Sequence, residues 1–335
     1  MCVYNRANYL PEAVESILNQ TFIDFEFIIL DDGSTDNSLE IIREYAQKDD
    51  RIRVVVNDEN IGIAKSANKG IALARGEYIA RMDSDDISLP DRFDKQIRYL
   101  DAHPEVWVLG GQIQRIDEKG NDIFVNPWHL PEKIDLWKAL VTLEAVSNPT
   151  AMMRRDKIVL VGGYPEEYAV SEDRALWAKL YELGYPIENL PDVVLKYRSH
   201  IDNISKTHNK QKNDHKRIRL ELLIRELGCE LSMAQFQKLM FTPLAELEPA
   251  DMRENFRIFI DLYDRYVKTR ALSWKEKLRI RQSVSKKLLR WTWRYPLQNS
   301  AEMIQAILFY PPILISYLRM YWLALFGGSR CRTDD

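Results

Sequence analysis

The feature that most narrows the fold is a short apolar run ending abruptly in aspartates, met twice in the first hundred residues. Phe25 to Leu30 leads into Asp31-Asp32-Gly33-Ser34, and Glu77 to Met82 leads into Asp83-Ser84-Asp85-Asp86. Apolar runs without alternation are what strands buried on both faces require. Between and after them the period changes to that of helices. Leu39, Ile42 and Ala46 recur at helical spacing, with Ser34 or Asp36 placed to cap them. Ile52 to Val56 is a further β-branched run, Ala64 to Ala74 reads as a helix closed by Gly76, and Pro90-Asp91 open another that reaches Leu100. Strands alternating with helices predict an α/β domain: a mostly parallel sheet with helices on both faces. Ligands of such sheets collect at the carboxyl ends of the strands. Both acidic clusters fall on that edge.

The remainder of the chain differs in kind. With 335 residues, about two domains are expected at ~100–200 residues each. Residues 1–205 carry a net charge of −13 and residues 206–335 one of +10. The cysteines, Cys2, Cys229 and Cys331, make neither a disulfide framework nor a paired metal motif, which fits a reducing compartment. No secretory signal stands at the start. Lys206 to Leu227 and Met252 to Tyr266 read as helices, the second with Phe256, Phe259 and Tyr263 on one face. The segment from Arg265 to Arg294 is dominated by Lys and Arg, with Trp274, Leu278, Val284, Leu288, Trp291 and Tyr295 at helical spacing. That is the pattern of a helix lying in an anionic membrane interface. Met303 to Phe326 is almost wholly apolar but is broken by Pro311-Pro312 and carries Arg319, so a surface-lying or re-entrant hairpin is expected before a span. Nucleic acid is not an expected partner, since the basic run lacks a groove-reading motif.

Crowded carboxylates either sit in water or hold a cation, and oxygen ligands suit Mg²⁺ or Mn²⁺. Taken alone, Asp83 to Asp86 reads equally as a solvated turn capping the helix at Pro90, and Asp173 as an exposed helix carboxylate ahead of the apolar Leu176, Trp177 and Leu180. Trp107 belongs to a strand-like run and is assigned to the core. Trp128, between Pro127 and His129, lies in a loop, where an aromatic ring is better placed to meet a ligand.

Four segments, in order, carry a specific resemblance: VYNRANYLPEAVESILNQTFIDFEFIILDDGSTDNS, NIGIAKSANKGIALARGEYIARMDSDD, SEDRALWAKL and YRSH. Over residues 2–205 the chain resembles the family 2 glycosyltransferases, inverting enzymes of GT-A fold that use nucleotide-sugar donors. The resemblance implies that Tyr4 stacks on the donor base and Asp32 hydrogen-bonds it. It places Asp83 on the ribose side and makes Asp85 a ligand of the Mn²⁺ or Mg²⁺ bridging the diphosphate, supported by Asp86. Asp173 is implied as general base, Glu172 as the group that orients it or the acceptor, and His200 as a metal or diphosphate ligand. The expected donor is a UDP-sugar carrying a hexosyl or N-acetylhexosaminyl group. The expected acceptor is a glycan or lipid-linked saccharide of the cell envelope, with Trp128 the candidate for stacking on it, reached from the cytoplasmic face of the membrane by peripheral attachment.

The chain departs from the family in having Cys2 and Ala67 where relatives carry Pro or Thr and often Arg. It also lacks the Gln-x-x-Arg-Trp of processive synthases, which favours single addition. In relatives the residues before Val3-Tyr4-Asn5 form a central strand. The resemblance therefore implies a first strand largely missing, unpaired ladder groups, an open core, and Met1 internal to a longer chain. Residues 1–205 are expected to be the catalytic domain and 206–335 a helical basic region. Two competing readings remain. A sugar-nucleotide nucleotidyltransferase would want a glycine-rich phosphate loop that VYNRANYL does not provide. A degenerate binding module is disfavoured by the presence of Asp85 and Asp173.

Overall fold

A computed structural model describes residues 1–123, 146–168, 170–201, 209–293 and 301–302. Trp128 and the apolar stretch 303–326 lie outside the described residues. The chain forms two compact units, Met1–Leu222 and Leu223–Asp335.

In the first unit, β1 (Cys2–Val3), β2 (Phe27–Asp31) and β3 (Ile52–Val56) pair in parallel in the order β1-β2-β3. The crossovers are α1 (Leu10–Leu18) and α2 (Ser38–Ala46), and α3 (Ile63–Leu73) follows β3. The buried side chains of α1, namely Leu10, Ala13, Val14 and Ile17, recur at the spacing that puts them on one face, and Pro11 starts the helix where no amide partner is lost. A second, five-stranded sheet has the order β4-β7-β6-β8-β5, built from β4 (Tyr78–Ala80), β5 (Ile87–Ser88), β6 (Val108–Ile116), β7 (Met152–Arg154) and β8 (Ile187–Arg198). Only β6 and β8 run parallel in it; the other three pairings are antiparallel. The parallel expectation therefore holds for the first sheet and for one pair of the second. Strand direction in the second sheet is set by connections that apolar periodicity does not encode. Helices α4 (Arg92–Ala102), α5 (Arg155–Leu160) and α6 (Glu172–Glu182) complete the unit. Apolar clusters lie on both sides of the strands: Val14, Ile29, Phe93 and Leu109 in one, Ile71, Met153, Trp177 and Trp107 in the other.

The two sheets do not join. β1 has two residues, and its ladder with β2 ends where the terminal ammonium of Met1 donates to the Ile28 carbonyl at 2.9 Å. Beyond that point a cavity of about 940 Å³ opens between β2 and β4, lined by Phe27, Ile28, Tyr78, Ile79 and Phe93 among others.

The second unit is helical. α7 (Asn209–Leu227) runs up to the unit boundary and past it, ending at Gly228, whose φ of +57° suits a glycine terminator. α8 (Met233–Met240) begins with a reciprocal capping box between Ser232 and Gln235, and α9 (Pro249–Thr269) follows. A break at residues 270–273 separates α9 from α10 (Trp274–Trp293). Phe256, Phe259 and Tyr263 are buried as their spacing predicts. Along α10 the sequence reading needs correction: Val284 and Leu288 are fully buried, with Ile280, so that face packs inside the unit and is not offered to a membrane. Trp274, 72% exposed, and Leu278 remain at the surface. Among the described residues no helix is long and apolar enough to cross a membrane.

Candidate active site

The carboxyl ends of β1 and β2 are tied together by side chains that terminate both strands. Asn5 adopts φ +53°, a left-handed conformation that asparagine tolerates better than most residues, and this turns the chain across the edge. Its amide donates to Ser34 Oγ at 3.0 Å, and its Oδ1 accepts from the Thr35 amide at 2.8 Å. The Arg6 amide donates to Ser38 Oγ and the Ala7 amide to Asp36 Oδ2. The segment Asn5–Ala7 is thus locked onto the loop after β2, leaving the Tyr4 ring 43% exposed at the rim. Asp36 bonds the Ser38 amide near the start of α2, as its position in the sequence suggested, although the residue directly before that helix is Asn37.

Asp32 is buried and already well satisfied. Its Oδ1 accepts from Asn57 Nδ2 at 2.8 Å and from the Ile61 amide, and its Oδ2 from the Gly62 amide, each of the latter at 3.0 Å. These three bonds hold the 57–62 loop. Gly33 shows how closely that loop approaches: a Cβ there would stand 2.8 Å from the Glu59 carbonyl carbon, and φ is +72°. Substitution at that glycine would push the loop outward.

At the end of β4 the chain turns through Asp83-Ser84-Asp85-Asp86. Arg81, buried, donates to Asp83 Oδ1 at 3.1 Å. Burial raises the Asp83 pKa, Arg81 opposes the rise, and Asp85 and Asp173 both add to it. Asp83 therefore lies within electrostatic reach of Asp85 in its own turn and of Asp173, remote in sequence. Asp85 Oδ2 stands 2.9 Å from His200 Nε2 and 3.4 Å from Arg6 Nε. Asp86 is buried and accepts the Arg198 amide at 2.8 Å, and its other oxygen has no partner. Burial, with Asp85 and Asp83 as like-charged neighbours, pushes its pKa well up.

Glu172 and Asp173 open α6. Glu172 is 5% exposed, and burial, reinforced by Asp173, raises its pKa from 4.5 to about 8. Asp173 is half-buried, and its Oδ1 accepts the Arg174 amide at 2.7 Å. Leu176, Trp177 and Leu180 form the buried face behind it, so Glu172 and Asp173 are presented from a helix whose other side is anchored in the core. Tyr164, beside the turn Gly162-Gly163, is held by two hydrogen bonds to Asn68 of α3 and donates to Asn148 Oδ1 at 3.0 Å.

Sequence reasoning did not single out Arg6, Arg81, Tyr9 or Arg198 as parts of this edge. Arg81 did leave a signal, a cation inside an apolar run two residues ahead of an aspartate. Trp107 is buried, as assigned. Among the described residues no group of three or more His, Cys, Asp or Glu is arranged to hold a metal. Asp85 and His200 form a pair, which fits a cation that takes one or two protein ligands and fills its shell from substrate phosphates and water. The unpartnered oxygen of buried Asp86, next in the chain, is a further acceptor adjoining that pair.

Comparison with known proteins agrees with the architecture. The model of the family described as "Glycosyl transferase family 2" matches residues 1–160. The amylovoran biosynthesis glycosyltransferase AmsE of Erwinia amylovora is 31% identical over 222 residues, 65% of this chain and 82% of that protein. Staphylococcus aureus TarS, in complex with UDP-GlcNAc, superposes with a TM-score of 0.56 at 21% identity, covering 95% of this chain and 90% of that one. The mannosyltransferase PcManGT of Pyrobaculum calidifontis, in complex with GDP-Man and Mn²⁺, gives 0.51 at 18% identity over 92% and 84%. With its acidic edge, its GT-A-like α/β fold and these relatives, the chain belongs to the family 2 glycosyltransferases.

Proposed function

We propose that this glycosyltransferase moves a hexosyl or N-acetylhexosaminyl group from a UDP-sugar to a glycan or lipid-linked saccharide by single displacement, with inversion at the anomeric carbon. The observation that carries the reading is the pairing of Asp85 with His200, 2.9 Å apart at the acidic edge. A common site is supported by the charges of Asp85 and Asp173, which both act on Asp83.

At this edge Tyr4 stacks on the base, and Asp32, which pins the 57–62 loop, hydrogen-bonds it. Asp83, steadied by Arg81, faces the ribose. Asp85 and His200 hold Mn²⁺ or Mg²⁺, which when bound offsets negative charge on the departing diphosphate. Asp173 takes the proton of the acceptor hydroxyl as its oxygen bonds to the anomeric carbon. The bond from that carbon to the diphosphate breaks, and the nucleoside diphosphate leaves with the electron pair. Asp173 uses one oxygen to accept the Arg174 amide, which fixes its orientation, and keeps the other for this proton. Glu172, whose carboxyl is pushed up to about 8 by burial and by Asp173, orients the base or the acceptor instead of competing as a second base. The use of UDP is supported by the donor bound to TarS, and the metal by the Mn²⁺ bound to PcManGT. A role in cell-envelope polysaccharide synthesis is supported by the name of AmsE.

The catalytic region corresponds to about residues 1–205. The basic surface of α10 with exposed Trp274 supports peripheral attachment to an anionic membrane, on the cytoplasmic face where nucleotide sugars are supplied. Calorimetric titration with UDP and Mn²⁺ tests the donor site. Binding is expected to need the metal and to fall at least tenfold in Asp85→Asn; metal-independent binding, equal in that variant, would refute the assignment.

A further inference from the structure

We propose that Arg198 is a positioning residue that sets the Asp83–Asp86 turn for metal binding by clasping it to α1 and to the turn after β6. The inference deepens the function proposed above and rests on it.

Arg198 ends β8 and is 2% exposed. It holds the acidic turn twice: its amide donates to Asp86 Oδ1 at 2.8 Å and its Nε to the Asp85 carbonyl at 2.9 Å. Nη1 donates to the Glu118 carbonyl at 3.1 Å and more weakly to that of Asp117 at 3.4 Å, in the turn that follows β6. Nη2 pairs with the Glu12 carboxylate on α1, and the guanidinium lies 5.2 Å from the centre of the Tyr9 ring. The other side of the arrangement closes through His200, whose ring lies 4.8 Å from that of Tyr9 and whose Nε2 meets the Asp85 carboxylate. Residues 198 and 200 thus hold Asp85 at both ends, by its carbonyl and by its carboxylate. One short segment at the end of β8 supplies both grips.

This task suits arginine alone. A guanidinium presents five N–H donors in a fixed plane and can serve three separate segments; an ammonium on a flexible stem cannot span them. Burying the charge is tolerable only where it is paired and hydrogen-bonded, and Glu12 with the three carbonyls meets that condition. A metal site depends on ligand placement within ~0.5 Å, and groups that orient a ligand typically control ~10–100-fold of metal affinity. The bonds named above run to Asp86, Glu12 and backbone carbonyls, not to the groups assigned to proton or sugar transfer. Its influence passes through Asp85.

The test compares the full chain with Arg198→Lys and Glu12→Gln. Mn²⁺ affinity is measured by calorimetry with UDP present, steady-state constants by nucleotide release, and amide hydrogen exchange over residues 84–87 and 117–120. Arg198→Lys is expected to weaken Mn²⁺ binding at least tenfold and to lower kcat by a similar factor. The donor KM should stay within about threefold, because the base pocket is built from other residues. Both turns should exchange faster. Glu12→Gln, a change at a largely exposed partner, should move Mn²⁺ affinity about two- to fivefold in the same direction without a change in melting temperature. Unchanged Mn²⁺ affinity and kcat in Arg198→Lys overturn the proposal, whatever its melting temperature. If that variant does not fold, unchanged Mn²⁺ affinity in Glu12→Gln overturns it. If the parent itself binds no Mn²⁺, the proposed function fails, and the clasp is then decided by exchange: a turn no less protected in Arg198→Lys overturns it.

Discussion

Glu172→Gln isolates the cost of the carboxyl buried at the start of α6. Glu172 is 5% exposed, and burial, reinforced by Asp173, raises its pKa from 4.5 to about 8. The folded chain therefore binds more protons than the unfolded one between those values, so folding becomes less favourable as pH rises through that window. Below pH 4.5 the folded state carries none of this penalty; above pH 8 it carries the whole of it, on the order of 4–5 kcal/mol. Glutamine keeps the size of the protonated acid and does not ionise. The variant should match the parent near pH 4.5 and exceed it by roughly 10 °C in melting temperature at pH 8.5. Paired thermal melts at each pH cancel the titrating groups the two proteins share. A gap that does not widen with pH contradicts the assigned burial.

One further outcome concerns the surface. The exposed Lys275, Lys277 and Arg279 of α10 should carry the protein down with anionic phospholipid vesicles at low salt, and replacing all three with Glu should release it. Equal sedimentation of parent and variant would remove α10 from the attachment surface.

The elements around the site were legible because they follow local rules. Phe27 to Asp31 is buried on both faces and continuous in sequence, and α1 and α2 show one apolar stripe each. The acidic turns announced themselves by composition. What stayed hidden depends on contacts remote in sequence. Arg198 meets Asp85 across 113 residues and Glu12 across 186, distances over which no periodicity operates. The antiparallel pairings of β7 are equally non-local. α10 shows the opposite failure: its apolar stripe was read correctly, but a stripe states only that something covers it. Val284 and Leu288 are covered by the protein itself.

The central claim is that Asp173 removes the acceptor proton beside a donor held by Asp85. Asp173→Asn keeps size and hydrogen bonding while abolishing the base, so UDP and Mn²⁺ should bind within about twofold of the parent while sugar transfer, followed as nucleotide release with acceptor present, falls by at least a thousandfold, within the range general-base removal produces. Transfer retained to within tenfold, with binding intact, would contradict the account.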